Sequence, residues 1–147
     1  MKKQIPIYIL AFLSLIIIAY GMLYIFRNDI MSYHAAFLGM TDLQLVQFNQ
    51  HIIPLYITLI RITGSCIIAI GLTSLVIVLG PLRQGNRWAW WSLITLLPLP
   101  LIVTSLLSYH IASTIHAGPK PPYWLAAGIL VLFLAVIGFC YPGESDR

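Results

Sequence analysis

Apolar residues fill this chain in four long runs separated by interruptions of unequal length, and the period-2 alternation of a membrane-barrel strand is absent. The runs cover about Ile5 to Phe26, Ile52 to Gly80, Trp88 to Ala112 and Tyr123 to Tyr141. A helix of about 20 apolar residues crosses the hydrocarbon core of a bilayer. Lipid offers the backbone no hydrogen-bond partners, and a helix satisfies its own N–H and C=O groups within one segment. The pattern therefore predicts an all-α protein, a bundle of four transmembrane helices forming one integral membrane domain over residues 1–147.

The interruptions differ in kind. "PLRQGNRW" is tight, with Gly85-Asn86 as its pivot, so the second and third runs should form an antiparallel hairpin. "HAGPKPP" at 116–122 is stiffened by three prolines and enters the fourth run abruptly. The connection over 27–51 is long enough to need structure of its own. "NDIMSYHAAFLG" predicts a short helix capped by Asn28 and stopped by Gly39. "TDLQLVQFNQHI" predicts another, because Thr41 followed by Gln44 is a capping-box spacing. Pro54 should bend the chain into the second run. "SYH" occurs at 32–34 and again at 108–110, but the offset does not carry the second run onto the fourth, so no duplication is inferred.

Composition agrees with this class. The 147 residues are 60% hydrophobic and 8% charged, too few charges to clothe a water-facing domain. The net charge of +4 is scattered, with no basic cluster for nucleic acid. Cys66 and Cys140 lie inside apolar runs, lack a C-x-x-C spacing and read as packing residues. The basic start "MKKQ" resembles a signal peptide, but the apolar run continues to Phe26 without a small-residue cleavage site, so a retained helix is expected. Lys2, Lys3, Arg83, Arg87 and Arg147 fall on one side of the zigzag, Arg27 and Lys120 on the other. The positive-inside rule then places both termini and the 81–87 turn in the cytoplasm. Trp88, Trp90 and Trp91 form an inner aromatic anchor, Tyr123 and Trp124 an outer one.

Arg61 is the exception inside the second run. If Ile62 to Gly80 alone spans, Arg61 sits at the outer boundary and its long stem snorkels to the headgroups. If residues 52–60 also lie in lipid, it is about 14 Å deep. Arg83 back to Arg61 and Trp88 forward to His110 are equal intervals, so Arg61 and His110 should lie level, about 33 Å above the shared turn. A polar layer is expected at the outer end, of Arg61, Tyr109 and His110, with His34, Asp29 and Asp42 folded over it. These are the candidate ligand-binding residues: Arg61, His110, Tyr109, His34 and Asp29. The competing structural role is a pair of Arg61 with Asp29 or Asp42 that docks the 27–51 connection.

Other chemistry is sparse. His34, His51, His110 and His116 all fall on the outer side, but no H-x-x-x-H spacing marks a metal site. No serine is placed beside a histidine and an acid, and no glycine-rich phosphate loop occurs. Neither a metal nor a cofactor is expected. Pro98 and Pro100 should kink the third run, with Thr95, Thr104 and Ser105 covering the freed carbonyls. Gly64 and Gly71 share one face of the second run, and Gly128, Val131, Ala135 and Gly138 share one face of the fourth. Both stripes are expected to line the bundle's internal seam, with a dimer face as the alternative for them.

"YHAAFLGM", "RITGSCIIAIGL" and "LRQGNRWAWW" together resemble a group of small bacterial four-helix membrane proteins, and more loosely the DoxX-like families. That resemblance implies an inner-membrane location and brings no catalytic residues. The resulting expectation is a non-enzymatic accessory or lipid- or small-molecule-binding module. Its partners would be membrane lipids and, as a further option, a second copy or a larger membrane complex. The alternative is a membrane enzyme acting on a lipid, sterol or quinone, with His110 as acid/base and Arg61 holding an anion. A transporter would need a polar stripe through its full depth, and the inner halves of the runs are nearly free of charge.

Overall fold

The computed structural model describes residues 4–141, so Lys2, Lys3 and Arg147 lie outside the described residues. The described residues form seven α-helices: α1 (Gln4–Ile25), α2 (Ser32–Leu38), α3 (Asp42–Phe48), α4 (Ile52–Ile77), α5 (Arg87–Leu96), α6 (Pro98–Thr114) and α7 (Tyr123–Phe139). Among the described residues, three helical stretches are long and apolar enough to cross a membrane: Gln4–Ile25, Ile52–Leu82 and Arg87–Thr114. α7 is apolar throughout but has 17 residues, about 26 Å, the short end of what a bilayer core requires.

The end of α4 passes into one π-helical turn, Val78–Leu82. Pro81 lies in it and has no N–H to give, and the wider turn absorbs the ring where an α-helix would clash. Gly85 then takes φ +79°, a conformation that a side chain disfavours, and reverses the chain into α5. The expected pivot is therefore where the chain turns. We call this the turn end. The opposite, loop end holds the 27–51 connection and the 115–122 segment.

The longest interface is between α1 and α4, not within the α4–α5 hairpin. Three glycines allow it. A Cβ on Gly64 would stand 2.7 Å from the Gly21 carbonyl oxygen and 2.8 Å from Tyr24 Cβ. One on Gly71 would meet Ile18 Cγ1 at 2.7 Å. The seam predicted for Gly64 and Gly71 is present, and its partner is α1. The stripe on α7 is a correction: a Cβ on Gly128 or Gly138 meets nothing within 4 Å, and Val131 and Ala135 are exposed. That face looks outward instead of lining an internal seam.

α6 packs on α7, so the molecule consists of two helix pairs. They join in one core at the turn end, built from Leu10, Leu13, Val78, Leu82, Ala89, Leu93, Phe133 and Ile137. Trp90 Nε1 donates to the Ile137 carbonyl at 2.9 Å across that junction. The third run is interrupted at Leu97, directly before Pro98. The hydroxyls do not cover the carbonyls that the prolines free, at Ile94 and Leu96. Thr95 instead donates to Trp91 and Ser92, and Ser105 to Leu101. Beyond the break α6 turns to α7 and shares no packing face with α4.

The 27–51 connection contains the two predicted helices. Thr41 and Gln44 form the capping box in both directions. Gly39 ends α2 at φ +64°. Asn28 does not cap α2, which starts at Ser32 with Met31 in the cap position. Nor does Pro54 bend the chain. α4 begins two residues earlier, and the ring fits its first turn, where an N–H has no helical partner.

Candidate functional site

The depth of Arg61 follows from how α1 and α4 align. Gly64 lies against Gly21 and Ile25, so α1 ends level with Gly64. The first turns of α4, Ile52 to Ile60, therefore stand beyond the end of α1, by about 18 Å counted from Gly64. The connection wraps this overhang, and Ile30, Leu45 and Ile60 become buried there. Arg61 sits one turn above Gly64, at the level where α1 gives way to Arg27, Asn28 and Asp29.

Polar side chains gather at that level. Arg61 Nη2 donates to Asn28 Oδ1 at 2.7 Å. Arg27 Nη2 donates to Asp29 Oδ2 at 3.0 Å, and Arg27 Nε lies 2.9 Å from Oδ1, off the N–H axis. This is the ion pair found among the described residues. Arg61 thus does not take Asp29 or Asp42. Asp29 belongs to Arg27, two residues away, and Asp42 stays in the first turn of α3. A neutral carboxamide is the partner that the sequence reasoning overlooked.

His34 sits higher, on α2. Met31 N–H donates to the Tyr56 hydroxyl at 3.3 Å, and that hydroxyl lies 2.7 Å from His34 Nδ1. The phenol oxygen accepts from Met31, and its bond to His34 Nδ1 ties α2 to the first turns of α4. The Tyr33 ring stacks at 4.4 Å from His34, and the Tyr33 hydroxyl donates to Met31 Sδ at 2.6 Å. Lower down, on α1, the Tyr20 and Tyr24 hydroxyls share a bond of 3.0 Å. Four tyrosines thus line this side of the loop end. Tyrosine enrichment at membrane interfaces was the signal that could have pointed to them.

Burial holds the His34 imidazole below its ordinary value of 6.5. A histidine kept neutral by folding contributes stability that is complete above the ordinary value and shrinks as pH falls through the lowered one. We therefore expect protection from amide exchange over residues 31–38, taken relative to the unstructured rate at each pH, to fall between about pH 7.5 and 5. His34→Gln should flatten that dependence.

His110 and Tyr109 lie on the other pair. The Tyr109 ring meets Tyr123 edge-on at 5.6 Å and is largely exposed. The His110 carbonyl accepts from Ser113 and Thr114, while its imidazole is exposed and makes no hydrogen bond among the described residues. Since α6 diverges from α4 after Pro98, the structure does not bring Arg61 and His110 together. The two halves meet again through the loops: a Cβ on Gly118 would touch Ala36 Cβ of α2 at 3.3 Å, and Ala112 and Ile115 are buried nearby in sequence.

An open depression of about 380 Å³ lies on the α1 side, lined by Met22, Leu23, Phe26, Arg27, Asn28 and Asp29. Neither Arg61, Tyr109 nor His110 lines it, although Arg61 is bonded to one of its walls. No three His, Cys, Asp or Glu side chains converge among the described residues. No protein-family model, curated protein or solved structure matches this chain.

Proposed function

We propose a non-enzymatic, multi-pass module of a bacterial inner membrane, with four spans, both termini cytoplasmic and the loop end at the outer surface. Its relationship to small four-helix, loosely DoxX-like membrane proteins is part of this proposal. The orientation is supported by the lysines and arginines of the sequence: Lys2, Lys3, Arg83, Arg87 and Arg147 fall on the side of the 81–87 turn, and Arg27, Arg61 and Lys120 on the other. The helical path from Arg61 through α4 and the π-helical turn to Arg83 is on the order of 33 Å, about one bilayer core. Lipids are the partners of its apolar flanks. A second copy or a larger complex is the alternative occupant of the open α7 face.

One observation carries the functional part of this reading. Arg61 is bonded to Asn28, at the end of α1, and is parted from His110 by the divergence of α6. An acid/base histidine and an anion-holding arginine need a common pocket with the reacting atoms within hydrogen-bond reach of both. The geometry instead suits an arginine that fastens the 27–51 connection to the helix pair.

Arg61→Ala should speed amide exchange across residues 27–38 while leaving α6 and α7 unchanged. His110→Gln should leave that exchange and the co-purifying lipids as they were. If instead both variants lose the same bound small molecule, the enzyme reading, with a sterol, quinone or lipid substrate, replaces this one.

A further inference from the structure

We infer that the loop end of the α1–α4 pair holds one anionic phospholipid, its phosphate against Arg61 and Asn28 and one chain along Met22, Leu23 and Phe26. This deepens the lipid-binding part of the proposed function and rests on that reading. The floor of the depression is apolar and open: Met22, Leu23 and Phe26 are 41%, 67% and 70% exposed. Within one residue step its rim becomes Arg27, Asn28 and Asp29. An apolar floor ending abruptly in a cationic and amide rim, at one end of a membrane-length helix, has the profile of an amphiphile lying at an interface.

Charge selects the head. Asp29 already neutralises Arg27. Arg61 has no carboxylate within 4 Å among the described residues and commits one N–H, to Asn28. A guanidinium carries five N–H donors in a planar fork that matches two phosphate oxygens at once. The cluster is left with one net positive charge, which complements one phosphodiester. A zwitterionic head brings its own cation to the same place and loses that advantage. Free phosphate leaves the apolar floor unused.

The test uses the full chain in a neutral detergent, titrated with dioleoyl-phosphatidylglycerol or dioleoyl-phosphatidylcholine and read by native mass spectrometry. The wild type should retain one phosphatidylglycerol in preference to phosphatidylcholine. Asn28→Asp is the decisive variant, because it strengthens the tie to Arg61 while cancelling the local charge. It should keep the helix content and melting temperature yet lose the preference, by roughly tenfold for one charge-assisted contact. Arg61→Gln should lose it to a similar degree, and Asn28→Asp decides alone if that variant unfolds. Lys120→Gln removes an equal charge from the same end and should change nothing.

A wild type without preference, an Asn28→Asp that keeps it, or a Lys120→Gln that loses as much each overturns the site. Inorganic phosphate competing as well as the lipid would overturn the role of the floor. These readings do not depend on which side of a membrane the loop end faces. An inverted or three-span topology therefore shows up separately, by thiol labelling, as a failure of the proposed function.

Discussion

Gly64→Val should separate α1 from α4 and cost about 3 kcal/mol or more, the upper end of what overpacking does. The reason is the identity of the atoms in the way. The first carbon of the new side chain would stand 2.7 Å from a backbone oxygen of Gly21 and 2.8 Å from Tyr24 Cβ. Neither atom can rotate aside, so the helices must part along their whole shared length. In lipid that loss has no substitute, since apolar tails are as greasy as leucine and helix association depends on close packing. Gly128→Val is the matched control on α7, where the added carbon meets nothing within 4 Å. It should stay within about 0.5 kcal/mol of the wild type. Helix propensity changes equally in both, so the difference in unfolding free energy, measured in detergent, reports the seam. A loss of self-association in Gly128→Val would instead mark the α7 face as a contact between copies.

Phe133→Ala should be the next most damaging change, at about 2–3 kcal/mol. Phe133 is 1% exposed and sits where both helix pairs meet, beside Leu10, Val78 and Leu93. In water such a truncation costs about 3–5 kcal/mol, of which part is the transfer of the ring out of solvent. In a bilayer the separated helices already keep that ring in an apolar medium, so the transfer part largely disappears. The cavity and the lost contacts remain. Phe139→Ala, on a side chain 77% exposed, removes the same atoms without the cavity and should be close to neutral. Equal losses in the two variants would mean that the turn-end core does not hold the pairs together.

Local features of this fold were legible in the sequence because local physics decides them. Thr41 and Gln44 form their box, Gly39 and Gly85 adopt left-handed backbone, and the third run breaks at Pro98. The partner choices were not legible. The Gly64–Gly71 face announces a close contact but cannot say that Gly21 of α1 receives it. The stripe on α7 has the same spelling and receives nothing. Likewise the charge of Arg61 demands a partner, and the nearby acids looked best. Asp29 is claimed by Arg27 over two residues, which leaves the intervening Asn28 pointing its carboxamide at Arg61. The course of α6 after the proline break, onto α7, is likewise a tertiary choice that counting residues does not supply.

Thiol labelling in intact cells checks whether four segments span the bilayer with the loop end outside. With Cys66 and Cys140 replaced by alanine, single cysteines are placed at Gln50, Gln84, Ala117 and Tyr141. A membrane-impermeant maleimide should label positions 50 and 117 at once, and positions 84 and 141 only after the cells are opened. Labelling at 141 but not 117 before opening would reduce the spans or invert the last one, and labelling at 84 but not 50 would turn the molecule over; either result contradicts the account.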